Sequence, residues 1–409
     1  MRSQRSTIEG RAERAAFTGL LLTAMVAGTI VTIAFGVLSR FLIEDLDISR
    51  ARVGGLVTAV AVTAAVASPF GGRLTDRIGG RKALFLLFSL STLGLLSVAL
   101  APLYGLLLLA AALAGLAQAT ANPATNKLIA HHVREGGRGL ITGIKQSGVQ
   151  AGLFVGGLLL PVGAIALGWR ATLGLVALVP ATALVLTRFV VPPDGDSRKD
   201  SSHAGRSRTP ETVWWLAGYS LIMGVAAGAL LTFLPLYLQE DFGMTVTRAG
   251  VVVAVFGLVA MIVRIVSGSV AERIGSFQGV LGSLAATAAV AALLLLIAPN
   301  AGNAVLWAGV LLAAASSTTW NSVAMLAVID HSGPAMAGRS SGIVVLGFLS
   351  GFGIGPLLFG YSVDTAGSYA PGLWGIAALF VAASVVAAVW SGRNRRVAAA
   401  LKGAVPEGG

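Results

Sequence analysis

Two basic residues, Lys145 and Arg264, lie well inside long apolar runs of the sequence. An ionisable group in such a run is costly, and it marks a functional site by default. Arg188 and Lys127 also fall in apolar stretches, but near their ends, where a long side chain can carry its charge out to water. The carboxylates are placed differently. Asp76, Glu272 and Asp330 stand at one set of run ends, and Glu44, Asp45, Glu240, Asp241 and Asp364 at the other. No acidic residue is deep enough in sequence to pair with Lys145 or Arg264. A buried cation without a counter-charge is unstable, so the chemistry suggested is capture of an anion. The guanidinium of Arg264 suits an anionic group because its fork binds two oxygens at once, and Lys145 is expected to add a second positive charge. Asn122, Trp320 and Asn321 lie at comparable depth and could hydrogen-bond a ligand, and Tyr237 could close the site from outside.

Other chemistries lack their residues. The chain has no cysteine, which excludes disulfides, thiolate catalysis and Cys-ligated metals. It shows no HExxH, no paired buried carboxylates and no nucleophile beside a base. Neither an enzyme nor a metal or cofactor is expected.

The elements that hold these residues must be membrane helices. Of 409 residues, 56% are hydrophobic and 11% charged, against roughly a quarter charged in soluble domains. A helix needs about 20 apolar residues to cross the hydrocarbon core. Twelve runs qualify, near 15–39, 53–72, 83–101, 103–130, 139–167, 170–191, 213–238, 249–271, 278–298, 303–329, 341–363 and 371–391. The first is too long for a signal peptide and is read as a retained span. The expected class is therefore an all-α integral membrane protein.

Basic residues set the orientation. Twenty of the 29 fall in the N-terminal tail, the central linker, the C-terminal tail and the loops on their side, and five fall in the opposite loops. The positive-inside rule puts both termini in the cytoplasm, and the expected location is the cell membrane. This distribution also explains the net charge of +12 by the bilayer, without nucleic acid. Residues 1–14 form a cytoplasmic tail, 15–191 a first bundle, 192–212 a polar linker containing His203, 213–391 a second bundle and 392–409 a second tail.

The bundles are related. A shift of 196 residues places Gly28 on Gly224, Arg52 on Arg248, Gly72 on Gly268, Asp76 on Glu272, Arg77 on Arg273 and Gly79 on Gly275. A shift of 199 places Asn122 on Asn321, Gly148 on Gly347, Gly152 on Gly351 and Gly156 on Gly355. Six spans per half give parallel repeats about an axis along the membrane normal, an arrangement that can rock about an interface.

The loop after the second span reads GRLTDRIGGRKAL over residues 72–84. It resembles the signature G-x-L-A-D-R-x-G-R-R-x-x-L of the major facilitator superfamily, with Thr75 for Ala and Gly80 for Arg. Gly268, Glu272, Arg273 and Gly275 keep a weaker copy. The resemblance spans residues 15 to 392 and implies two pseudo-symmetric six-helix bundles working by alternating access. It also implies a cytoplasmic gate formed by Gly72, Asp76, Arg77, Gly79, Arg81, Gly268, Glu272 and Arg273. There Gly72 would allow close helix approach and Asp76 would cap the eleventh span near Ser340 to Gly342. The glycines of the fifth span are spaced as in the antiporter motif of drug exporters, but Leu153 replaces the expected proline. Ordinary small-residue packing is the preferred reading.

Arg264, four residues before Gly268, resembles the substrate-binding arginine of monocarboxylate, oxalate and nitrate transporters in this superfamily. Nitrate transporters carry a second arginine where this chain has Ser68. Asn122 to Lys127 and Gly143 to Gln146 resemble the cyanate permease branch. The reading is a secondary transporter, expected as a monomer, for a small organic or inorganic anion coupled to a proton or counter-anion. The alternatives are an exporter of neutral or drug-like compounds and a non-transporting membrane receptor.

Overall fold

The computed structural model describes residues 10–133, 135–193, 210–274 and 276–403. Twelve of its helices are long and apolar enough to cross a membrane: Arg11–Val37, Arg50–Ile78, Gly80–Leu100, Tyr104–His132, Leu140–Leu167, Trp169–Val190, Glu211–Glu240, Val246–Arg264, Phe277–Ala301, Asn303–Val328, Ser340–Ala366 and Ala370–Asn394. They are called spans one to twelve. A short helix, Ser39–Leu46, joins spans one and two. The tightest joins depend on glycine. Gly168, between spans five and six, and Gly367, between eleven and twelve, have φ of 82° and 64°. They stand 199 residues apart, so the repeat reaches into backbone geometry that only glycine adopts freely. Most of the expected linker, residues 194–209 with His203, lies outside the described residues.

Each half has its own core. Tyr219, Phe233, Phe256, Trp320, Phe380 and Trp390 anchor the second. The first is built on two clusters, one around Phe35, Leu56 and Leu107 and the other around Phe17, Leu84 and Phe88. Glycine stripes bring helices to backbone contact inside each half. A Cβ on Gly148 would lie 2.6 Å from the Leu22 carbonyl of span one, and one on Gly351 would lie 2.0 Å from the Leu221 carbonyl of span seven. The repeat-related stripes of spans five and eleven thus do the same packing job against spans one and seven. Small-residue packing against span one accounts for Gly148, Gly152 and Gly156 of span five.

The halves meet at the end of the molecule away from the chain termini, the distal end. A Cβ on Gly54 of span two would sit 2.3 Å from the Pro356 carbonyl of span eleven, and Gly157 of span five faces Gly250 of span eight as closely. Thr58 Oγ1 donates to the Gly353 carbonyl across the same seam. Toward the terminal end the seam loosens. A Cβ on Gly72, Gly143 or Gly342 would find nothing within 4 Å. This corrects the expectation for Gly72, which meets no close neighbour among the described residues; the apolar packing between spans two and eleven involves Ala64, Ala65, Val345 and Leu349, nearer the distal end.

Candidate functional site

Lys145 sits in the last turn of the helix Glu135–Gln146, just before a break at Ser147. It is fully buried. Its Nζ donates to Asn122 Oδ1 at 3.1 Å, Thr125 Oγ1 at 2.8 Å and Asn126 Oδ1 at 2.6 Å. An ammonium has three N–H donors, and three neutral side chains of span four take them all. The ammonium therefore offers no free donor to a ligand in this conformation, which corrects its expected place as a direct contact.

Arg264, in span eight, reaches span ten. Its Nη2 donates to Asn321 Oδ1 at 3.2 Å. Asn321 follows a second break, residues 317–319, between the helix ending at Ser316 and the one beginning at Trp320. Both cations are held by repeat-related asparagines. Their depths also agree. Gly257 of span eight packs on Gln150 of span five, where a Cβ would be 3.0 Å from the Gln150 carbonyl. Lys145 lies five residues from that crossing and Arg264 seven, about 8 and 10 Å toward the terminal end. Gln150 is itself buried at this inter-half crossing, and its Oε1 has no partner. Sequence reading passed over it because a glutamine carries no charge to flag it in an apolar run.

The other expected contacts separate. Trp320 is fully buried, edge-on to Tyr219 and tilted against Phe348. Tyr237 does not close the site. It is buried in the second half's core, stacked edge-on with Phe242 and Tyr369, and its hydroxyl donates to the Leu295 carbonyl of span nine. A phenol inside a bundle must find such an acceptor.

At the expected terminal-end gate, Asp76 makes no contact with span eleven among the described residues. Asp76 is 75% exposed, and its carboxylate lies 3.8 Å from Lys127 Nζ. It does not cap span eleven. Lys127 instead donates to the carbonyls of Thr75 and Asp76, satisfying the end of span two. Arg77 is exposed, Gly79 turns the chain with φ of 92°, and Arg81 donates to the Arg188 carbonyl of span six. The backbones of Gly268, Glu272 and Arg273 lie in the helix Val246–Ile274, but their side chains lie outside the described residues.

The distal end carries a closed counterpart that sequence reading missed. Arg50, at the start of span two, donates through Nη2 to Glu240 of span seven at 2.8 Å. Asp364, at the end of span eleven, accepts from the backbone N–H of Arg50 at 3.2 Å and of Ala51 at 2.8 Å. Tyr369 donates to Glu240 at 2.8 Å. Burial, and then the Glu240 charge, raise the phenol's pKa and keep it a donor. A carboxylate from one half thus caps a helix of the other, as expected of Asp76, but at the opposite end.

The sequence matches the family model "Major Facilitator Superfamily" over residues 20–356. The chain belongs to the Major Facilitator Superfamily. It is 28% identical over 358 residues to an uncharacterized MFS-type transporter of Mycobacterium tuberculosis, covering 84% of this chain and 79% of that one. It is 25% identical to a probable sulfoacetate transporter of Cupriavidus necator, covering 80% and 82%. A probable nitrate/nitrite transporter of Mycobacterium tuberculosis is 29% identical over 268 residues, covering 63% and 66%. Among solved structures, a bacterial homologue of the human lysosomal transporter Spinster, inward-facing and occupied, superposes with TM-score 0.73 at 18% identity, covering 95% and 98%. The nucleoside transporter NupG gives 0.73 at 14%, covering 91% and 98%. The protein is a multi-pass membrane transporter of this superfamily.

Proposed function

We propose that this transporter carries a small organic or inorganic anion across the cell membrane by alternating access, with both termini in the cytoplasm and the distal end outside. The observation that carries this reading is Arg264, a guanidinium deep in span eight that is bonded to the neutral Asn321. Relatives named for sulfoacetate, nitrate or nitrite, and hexuronate transport support an anion. Ser68, where nitrate transporters are expected to have a second arginine, bonds its own helix at the Ala64 carbonyl and favours an organic anion over nitrate. Lys145 contributes its field from within the first half. With the termini inside, the looser terminal end of the seam supports an inward-facing state, from which substrate exchanges with the cytoplasm by proton coupling or anion exchange.

The test is substrate binding to purified Arg264→Gln and Arg264→Lys proteins. Loss of the charge-assisted contact should weaken binding by about one to two decades. Lysine should restore it only in part, since an ammonium lacks the fork. Normal binding and transport by Arg264→Gln would leave a neutral substrate as the better reading.

A further inference from the structure

Three hydrogen bonds do not settle the charge on Lys145. The residue is fully buried, and its Nζ donates to Asn122, Thr125 and Asn126, all of them neutral. Among the described residues, no carboxylate bonds it. A buried charge without a counter-charge is costly even when its hydrogen bonds are made. A lysine can escape that cost by losing a proton, and an arginine cannot. Of the two deep cations, only Lys145 can change its charge.

The cradle suits both forms of the amine. A carboxylate only accepts hydrogen bonds and would hold the ammonium charged. An amide has N–H donors beside its oxygen, and a hydroxyl can turn to donate. Rotation of Asn126 or Thr125 would present a donor to the lone pair of a neutral amine, so neither form leaves Nζ unsatisfied. Gln146 Nε2, 3.4 Å from Asn122 Oδ1, adds another amide to the group. The route for a proton is short. Asn122 and Asn126 are exposed, so water at their amides is one side chain from Nζ.

The surroundings do not pin the charge either. The helix Glu135–Gln146 packs on spans one and four and on the rest of span five. Span one brings Arg11, Glu13 and Arg14 at its exposed start. Span four brings His131 and His132, the latter against Leu128 and Phe17, and Lys127, held on span two beside Asp76. Across the seam stands Arg264. The side chains of Glu135 and Arg138 lie outside the described residues. Lys127, next to Asn126 in the chain, and Arg264, at similar depth, are positive. A proton on Lys145 therefore meets repulsion in the empty site and attraction once an anion is bound.

We propose that Lys145 carries the coupling proton, so that anion and proton cross together. This rests on the anion reading above and names its driving ion. In the loaded form, Lys145 is an ammonium and Arg264 holds the anion. At release, one Nζ–H bond breaks. The proton goes to water at the terminal end, the electron pair stays on Nζ as a lone pair, and the anion leaves. For a monoanion the loaded and empty sites carry the same net charge, because one positive and one negative charge depart together. Water on the other side returns a proton to Nζ.

The experiment uses the full chain in proteoliposomes, with the membrane potential held at zero and the outside more acid. The probes are labelled methanesulfonate and sulfoacetate. Both stay ionised above about pH 6, since carboxyls titrate near pH 4 and sulfonates lower, so neither carries a proton across by itself. A gradient of one pH unit should let the wild type concentrate the probe toward about tenfold, the limit for one proton per anion. Lys145→Arg makes the charge permanent, and Asn126→Asp pins it with a carboxylate. Both should equilibrate the probe without concentrating it, with tracer exchange still measurable, a split that general damage would not produce. His132→Gln should concentrate the probe as the wild type does. Wild-type concentration by Lys145→Arg or Asn126→Asp overturns the proposal, as does its loss in His132→Gln with exchange intact. A wild type that takes up the probe without concentrating it, while Arg264→Gln takes up less, overturns the proton carrier and leaves the anion reading standing. Normal uptake by Arg264→Gln overturns the anion reading. No wild-type uptake of either probe overturns both.

Discussion

Asn122 and Asn321 stand 199 residues apart, and each accepts a hydrogen bond from a cation deep in its own half, Lys145 in the first and Arg264 in the second. The repeat supplies the acceptors, but not the cations. Lys145 is on span five, whose repeat partner is span eleven, with Val344 at the matching position. Arg264 is on span eight, whose partner is span two. The halves have kept the same amide and placed different charges against it.

The two cations should therefore differ in effect. Lys145→Gln removes a charge that meets a ligand only through its field, so binding of a monoanion should weaken about two- to threefold. Arg264→Gln should cost one to two decades. Titration calorimetry with one anion on both variants checks the ranking, and equal losses would make Lys145 a direct contact.

Breaking the distal lock should shift the resting state. Arg50→Ala removes the partner of Glu240, and Asp364→Ala removes the cap on span two. Because the chain has no cysteine, a single Thr58→Cys can report the seam, and its labelling by a polar maleimide should rise in both variants. Arg50→Lys, which keeps the charge between Glu240 and Asp364, should hold the labelling near the wild-type level, which a merely damaged fold would not.

Gly72→Ala and Gly351→Ala should part company. A methyl group at Gly72 meets open space, so the melting temperature should hold. At Gly351 it meets a carbonyl at 2.0 Å, and the bundle should be destabilised by more than about 1–3 kcal/mol. If the opposite state closes on Gly72, the stable Gly72→Ala protein will transport poorly in proteoliposomes.

Asp76→Asn should leave stability within about 0.5 kcal/mol, because its carboxylate is exposed and only 3.8 Å pairs it with Lys127. Uptake should nevertheless fall, if the carboxylate is needed when the terminal end closes. Uptake equal to wild type would reduce Asp76 to a topological residue.

Hydropathy and the repeat made the twelve spans legible, since long apolar runs and fixed-offset polar matches need no tertiary information. The depth of Arg264 and Lys145 was legible for the same reason. Their partners were not. Asn126 and Thr125 reach Lys145 only because span four lies beside span five, and no periodicity encodes that. Tyr237 was misplaced because a span position gives depth but not the face a side chain takes. Asp76 is exposed here and pairs with Lys127 rather than span eleven, a choice of partner that the motif alone does not encode. Arg50, Glu240 and Asp364 are ordinary surface charges in one dimension, and meet only when spans two, seven and eleven converge.

The lock at Arg50 is modest by design of its surroundings. An ion pair a third exposed is worth at most about 1 kcal/mol, and the Asp364 cap adds about another. Some 2 kcal/mol is the contribution of these two polar contacts alone, about a thirtyfold factor in favour of a closed distal end. A ligand need prefer the other state by only that factor to offset them. A transporter poised this way can be driven by weakly bound cargo, and it would turn over without the tight binding that slows release.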